Sequence, residues 1–312
     1  MNNPIQDSTY SIEKTNVEIF IPHIHFKQNL LDELIGSTES FENYILSEPQ
    51  KESVIWAQDT WQTVGKIVFS SINQAVKALR SLTKNWYLHT ASSHRRATLI
   101  QDKLAKFKIN RIEFNDHQDP LKFGCWLLHD NNTIYYSLDT SKNKPGGIYE
   151  FNENKTFPPN RAYLKLWETF TLFNQYPNEF DECLDLGGSP GGWSWVLQSL
   201  GCAVTAVDKA PLDKKILELP NIKMLQQSAF ALEPNDYPNL KWFCSDIICY
   251  PDRLLKLIHQ WLDAGCQANF ICTIKLQGDT DMKLFDQFLA IKGSTITHLY
   301  HNKNEVTWVL IQ

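Results

Sequence analysis

The sequence predicts an α/β protein: an open, mostly parallel sheet finished by an antiparallel hairpin, preceded by an α+β extension. Three observations carry this reading. Residues 183–195, CLDLGGSPGGWSW, pass from an apolar strand through a glycine turn into helical spacing, the opening unit of a nucleotide-binding sheet. After it, strand-length apolar runs alternate with helical segments. The chain then closes with Thr295–His301 and Glu305–Ile311 joined by Asn302-Lys303-Asn304, which reads as a hairpin.

The composition bounds the class. The chain has 312 residues, 43% hydrophobic and 21% charged, ordinary for a soluble globular protein. No apolar run approaches the roughly 18–20 residues that a membrane helix needs. The opening MNNPIQDSTYSIEKTN is polar, without the apolar core of a signal peptide, and is expected to be a loose tail. The seven cysteines form no CxxC and no Cys/His pair with zinc-ligand spacing, which points to a reducing, cytoplasmic setting and to no bound metal. Charge is uneven. Residues 1–60 carry −7, residues 61–165 carry +8 and residues 166–312 carry −6, within a net charge of −5. A basic middle suggests a polyanionic partner; a solvated lysine-rich face is the alternative.

Val17 to Phe26 reads as a strand broken by Pro22; His23 and His25 share one face there but lack a third ligand. Residues 27–48 read as helical and acidic. Ser53–Phe69 mixes apolar and aromatic residues suited to a core. Ser71 or Asn73 caps a helix through Val76 and Leu79 to Leu82. Trp86-Tyr87-Leu88-His89 is strand-like, and a second helix runs from His94 to Phe107. Between Lys77 and Arg111 lie nine Lys/Arg against one acid, Asp102, with aromatic residues interleaved, a pattern suited to RNA backbone. Phe123–His129 and Thr133–Leu138 pair across Asp130-Asn131-Asn132. Proline and glycine cluster within Ser141–Asn160, so the domain boundary is placed at 150/151: an N-terminal α+β region over 1–150 and the nucleotide-binding domain over 151–312.

In the second domain, Tyr163, Leu164, Leu166, Trp167, Phe170 and Leu172 give an amphipathic helix. Strands follow at 203–207, 222–226, 240–248 and 269–275, with helices at 251–263 and 281–291. Mostly parallel strands ending in a hairpin suit a methyltransferase sheet better than a dehydrogenase one.

The turn narrows the cofactor. A dinucleotide fingerprint needs glycine at its first, third and sixth positions; here they are Gly187, Ser189 and Gly192, so the middle glycine is missing. Gly-Lys-Ser/Thr is absent, which removes an ATPase reading. Asp208, ending the second strand, suits the ribose diol of either an adenine dinucleotide or S-adenosyl-L-methionine. Asp185 beside Gly187, Ser189, Pro190, Gly191, Gly192 and Trp193 favours the latter, since a carboxylate there can accept from the ammonium of a methionine moiety.

The segments LDLGGSPGGWSWVLQSLG and AVTAVD resemble the FtsJ-type RNA ribose 2′-O-methyltransferases, over roughly residues 158–312. Within that family the likeness is greatest to the bacterial branch that methylates a cytidine ribose of 23S rRNA, through RAYLKLWE, SDII, PDRLLKLIHQWL, TIKL and LYHNKNEVT. That branch has an N-terminal extension with a THUMP-like RNA-binding module, whose place the region before Ser141 occupies. The resemblance implies a Lys-Asp-Lys-Glu catalytic tetrad at Lys165, Asp246, Lys275 and Glu305, with Asp246 also on the cofactor side. It implies an acidic adenine contact after the third strand, where this chain has Ser228; Phe230 and Trp193 are the expected adenine neighbours.

A protonated ribose hydroxyl is a poor nucleophile, and in-line attack on a sulfonium needs close positioning. Neutral Lys275 could take the proton; as a cation it could stabilise the alkoxide. At a reference pKa near 10.4, about 0.04% of lysine is neutral at pH 7. Burial and Lys165 would lower that pKa, Asp246 and Glu305 would raise it, and the sequence leaves the balance open. The implied activity is methyl transfer to RNA, with large-subunit rRNA as substrate. The same chemistry on tRNA or a cap, or a noncatalytic RNA-binding protein on this scaffold, remain alternatives.

Overall fold

The computed structural model describes residues 10–50, 54–106, 109–115, 122–277 and 283–312. The loose tail expected over residues 1–16 is corrected in part: Tyr10–Lys14 form a strand paired antiparallel with Gly65–Phe69, while residues 1–9 lie outside the described residues. The chain forms two compact units: Met1–Ile112 with Asp116–Glu150, and Glu113–Asn115 with Phe151–Gln312.

The first unit contains β1 (Tyr10–Lys14), β2 (Glu18–Pro22), α1 (Lys27–Glu33), β3 (Thr38–Ser40), β4 (Ile45–Ser47), β5 (Ala57–Gln62), β6 (Gly65–Phe69), α2 (Ile72–Leu82), β7 (Trp86–Leu88), α3 (His94–Gln101), β8 (Gly124–Leu128), β9 (Thr133–Ser137) and β10 (Asp139–Thr140). Its strands form two sheets, ordered β1-β6-β9-β8-β7 and β10-β5-β2-β4-β3. Ile19, Ile21, Trp61, Cys125 and Leu127, drawn from both sheets, pack into one core. A second core lies where α2 and α3 cover the first sheet, around Val76, Leu79, Ile100, Trp126 and Ile134.

Local chemistry explains most of these boundaries. Ser71 and Gln74 form a reciprocal capping box at the start of α2, a motif worth about 1 kcal/mol. β8 and β9 pair antiparallel across the expected Asp130-Asn131-Asn132 turn, with the Asp130 carboxylate accepting from the Asn132 N–H at 2.7 Å. The helix expected over 27–48 is corrected to one short helix. After Glu33 the chain turns at Gly36, whose φ of +96° few other residues adopt, and β3 pairs antiparallel with β4. The polar Ser-Thr-Glu-Ser run therefore forms an edge strand rather than a helix face. The second basic helix closes at Gln101; its expected end, Phe107, lies outside the described residues.

The second unit contains α4 (Tyr163–Phe173), β11 (Glu182–Leu186), α5 (Gly192–Ser199), β12 (Ala203–Asp208), α6 (Lys214–Leu217), β13 (Ile222–Gln226), β14 (Leu240–Ser245), α7 (Pro251–Asp263), β15 (Asn269–Lys275), α8 (Lys283–Leu289), β16 (Ser294–Thr297) and β17 (Glu305–Leu310). They make one sheet ordered β13-β12-β11-β14-β15-β17-β16. β11 to β15 run parallel, while β17 is antiparallel to both β15 and β16. Strand order reverses between β11 and β14, and at such a switch point a crevice opens outside the carboxyl ends of the strands. β16 stops at Thr297 rather than His301, because the backbone N–H groups of Tyr300 and His301 bond to Glu168 on α4. Of the helix expected at 281–291, residues 281 and 282 lie outside the described residues. Among the described residues no helix is long and apolar enough to cross a membrane.

Candidate active site

The turn after β11 packs backbone against backbone. Gly187 has φ +78°, and a Cβ there would lie 2.9 Å from the Ile247 Cα; Gly191, at φ +117°, would place one 2.8 Å from the Ile216 side chain. Side chains larger than hydrogen are therefore excluded at both positions. Ser189 precedes Pro190 through a cis peptide bond. Its N–H donates to Asp208 Oδ2 at 3.1 Å, and its hydroxyl donates to the Pro211 carbonyl at 2.8 Å. Asp208 also accepts from the Ala210 N–H at 3.0 Å through Oδ1. A carboxylate has about four acceptor sites, so Asp208, half-buried at the strand end, retains capacity for a hydroxyl pair.

The other expected cofactor residues sit differently from one another. Asp185 is fully enclosed: its Oδ2 accepts from the Ser194 hydroxyl at 2.6 Å, while its Oδ1 has no hydrogen-bond partner among the described residues. Burial pushes its carboxyl up to about 7, with the Ser194 hydrogen bond opposing and Asp246 adding to the rise. Trp193 lies inside the protein rather than at its surface. Its Nε1–H donates to the Ala162 carbonyl at 2.9 Å, and Lys165 Nζ sits 5.9 Å from its ring centroid. Gly192 faces Asn160, whose Oδ1 a Cβ would meet at 2.4 Å. Ser228 is half-buried before the 3-10 turn Ala229–Ala231, and the neighbouring Phe230 carries the Arg253 guanidinium 3.7 Å from its ring centroid.

Four charged residues from separate segments meet at the carboxyl edge of the sheet. Lys165 projects from the first turn of α4, Asp246 follows β14, and Lys275 ends β15 directly opposite Glu305 at the start of β17. Lys165 Nζ donates to Asp246 Oδ1 and Oδ2 at 2.8 and 2.7 Å, and to Glu305 Oε1 at 3.0 Å. Lys275 Nζ donates to Asp246 Oδ1 at 2.5 Å and to Glu305 Oε2. The four alternate in sign around a closed ring in which each carboxylate faces both ammonium groups.

The ring sets the protonation states. Burial alone would raise the Asp246 carboxyl, but Lys165 and Lys275 outweigh it, and the group lies below the ordinary aspartate value. Burial alone would lower Lys275, yet Asp246 and Glu305 prevail and hold it above the ordinary lysine value. The balance left open by the sequence thus falls to the carboxylates, and Lys275 is a cation at rest.

Sequence reasoning missed three members of this neighbourhood. Thr273 donates to Asp246 Oδ1 at 2.6 Å, and its signal was present: it lies two residues before Lys275 and shares its face of β15. Ser194 is the partner of Asp185. Glu168, 2% exposed, binds the turn before Glu305. Neither of the last two has a signal in local spacing, because their partners lie on other segments. Among the described residues no group of three or more His, Cys, Asp or Glu could hold a metal ion, and the seven cysteines are free thiols.

Five parallel strands closed by antiparallel β17 and β16, with a glycine turn at the switch point and an acidic residue ending the second strand, form the sheet expected above for a methyltransferase. Residues 158–291 match the family model described as FtsJ-like methyltransferase. Over those residues the chain is similar to FtsJ-like methyltransferases. Its relatives include proteins named ribosomal RNA large subunit methyltransferase M. The one from Tolumonas auensis is 32% identical over 214 residues, covering 62% of this chain and 57% of that protein. The one from Halorhodospira halophila is 27% identical over 197 residues, 61% of this chain and 57% of that protein. The one from Shewanella frigidimarina is 31% identical over 166 residues, 48% and 46%. The chain thus spans about half the length of the curated relatives it matches.

Proposed function

We propose that this protein transfers a methyl group from S-adenosyl-L-methionine to a ribose 2′-hydroxyl of RNA, with large-subunit rRNA as substrate, in a cytoplasmic setting. The observation that carries the reading is the closed ring of Lys165, Asp246, Lys275 and Glu305 beside a glycine turn of the FtsJ-like type. The donor supplies a methyl group on a sulfonium, so no metal is needed to activate a leaving group. The Gly187–Gly192 turn, Asp208 and Ser228 are the residues proposed to hold it. Asp208 fits that role because its remaining acceptor sites suit a ribose diol. Asp185, enclosed with Ser194, is proposed to support the turn from beneath rather than to touch the donor's ammonium directly.

The ring's own chemistry follows from its charges. Lys165 and Lys275 orient the hydroxyl oxygen and stabilise the charge it develops. Lys275, once it has released one proton to solvent water, takes the hydroxyl proton as the oxygen bonds to the methyl carbon and the carbon–sulfur bond breaks; Asp246 and Glu305 hold it in place. Because the carboxylates raise its pKa, the neutral form grows tenfold per pH unit below that pKa. The rate of methyl transfer is therefore expected to climb with pH through the neutral and alkaline range, and Glu305→Gln to shift that limb to lower pH. A pH–rate profile under single-turnover conditions checks this; a flat profile assigns Lys275 to alkoxide stabilisation as a permanent cation.

The first unit is proposed to bind RNA, with a THUMP-like module in its second half. Of its nine basic residues between Lys77 and Arg111, Lys108 lies outside the described residues, and seven others are exposed. Arg96 is the exception: its guanidinium packs 5.5 Å from the Phe69 ring centroid. Arg95→Glu is therefore the cleaner probe. It should weaken RNA binding several-fold, and the slope of log affinity against log salt should fall by about 1; an unchanged slope removes this face from the interface. For the substrate itself, mass spectrometry of 23S rRNA from a deletion strain should show one ribose methyl lost, and an intact methylation pattern would refute the assignment to large-subunit rRNA.

A further inference from the structure

Glu168 lies one turn beyond Lys165 on α4, and the chemistry above makes no use of it. Burying a carboxylate this deeply is costly unless donors satisfy it. Three do: the backbone N–H of Tyr300 at 2.7 Å to Oε1, and the backbone N–H of His301 at 3.0 Å and its ring Nδ1 at 2.7 Å to Oε2. All three belong to the turn between β16 and β17, four and five residues before Glu305. The far end of that turn is tied to the residue after Lys275, since Leu276 N–H donates to the Asn304 carbonyl at 3.0 Å and Asn304 Nδ2 donates to the Leu276 carbonyl at 2.7 Å. In the middle, the buried Asn302 side chain accepts from the Leu299 N–H at 2.8 Å and the Thr307 hydroxyl at 3.2 Å. The turn is pinned at both ends and in its centre, and one of those pins is on the helix that delivers Lys165.

We propose that Glu168 is the positioning residue of the tetrad: by holding the Tyr300–His301 backbone against α4, it sets Glu305 where it meets both lysines. The proposal rests on the reading of Lys275 as the reactive lysine, but its test needs no RNA. A contact that only closes the fold would lower stability and leave the electrostatics of the ring alone. A positioning contact changes what Lys275 senses. The groups facing Lys275 are Asp246 after β14, Glu305 on β17, Lys165 from α4 through the shared carboxylates, and Cys249 in the following loop. Releasing the turn alters the Glu305 contribution, and the Glu305→Gln background separates that change from any other.

The experiment is an NMR titration of the Lys275 ammonium in the full chain labelled with 15N-lysine, for wild type, Glu168→Gln, Glu305→Gln and the double variant. In Glu168→Gln the new amide would present its N–H₂ to backbone donors and open the clamp. Lys275 should titrate at lower pH in Glu168→Gln, in the direction that Glu305→Gln moves it, and the double variant should move no further than Glu305→Gln alone. An unmoved Lys275 in folded Glu168→Gln, or additive shifts, overturns the proposal. Should Glu168→Gln fail to fold, His301→Ala removes one donor and should give a smaller shift of the same sign, with no shift counting against the role. In parallel, a wild type that fails to methylate RNA would refute the functional reading, whatever Lys275 does in the titration.

Discussion

Lys275→Ala is expected to slow methyl transfer to RNA by about 10²–10⁴-fold, the range for loss of a positioned proton acceptor, while binding of S-adenosyl-L-methionine stays within about twofold. The separation follows from geometry. Lys275 ends β15 and its contacts are Asp246 and Glu305; the turn proposed to hold the donor is built by β11, α5 and β12. Removing the ammonium leaves Lys165 bridging both carboxylates, so the ring loses the proposed base without losing all its counter-charge. Calorimetry with the cofactor and a methyl-transfer assay, run on the same preparation, read the two effects separately. Retained turnover would remove Lys275 from the chemistry; a parallel loss of cofactor binding would show that it supports the donor site instead.

Asp246→Ala is expected to be the more damaging change, because it costs stability as well as activity. One carboxylate accepts from Lys165, Lys275 and Thr273. Its removal leaves two ammonium groups facing each other around a single remaining anion, Glu305. Breaking a buried ion pair from one side costs about 3–5 kcal/mol, and Asp246 keeps enough exposure to place it near the lower end. At about 2–4 °C per kcal/mol for a domain of this size, the transition of the second unit should fall by roughly 6–12 °C. Activity should vanish with it. The stability loss should shrink when Lys165→Met is added, since that removes the uncompensated cation. An Asp246→Ala protein of wild-type stability would show that the ring is more solvated than its hydrogen bonds indicate.

Most of the second unit was legible in the sequence, and the reasons are local. Strands at 222–226 and 269–275 and the helix at 251–263 carry complete apolar patterns bounded by turn residues or Pro251, and they form as read. The four charged residues could be named because each belongs to a short segment with its own likeness to the family. Their closure into a ring, and therefore the direction of the Lys275 shift, depends on which side chains approach in space. The same limit hid Glu168 and Ser194, whose partners lie 132 and 9 residues away. It also left unread the bond from the Trp193 indole to the Ala162 carbonyl at the start of α4, which ties that ring into the interior. In the first unit the misreading of 27–48 as helix came from polar, weakly patterned residues, where pairing with a neighbouring strand decides the conformation and composition does not.

A ribose oxygen of RNA as acceptor is tested most directly by incubating the purified protein with methyl-labelled S-adenosyl-L-methionine and unmodified large-subunit rRNA, then digesting to nucleosides for mass spectrometry. Label is expected on the ribose of a single nucleoside, accumulating about 10²–10⁴-fold more slowly when Lys275→Ala replaces the wild type. Label on a base, or label that accumulates at the wild-type rate in Lys275→Ala, would contradict this acceptor.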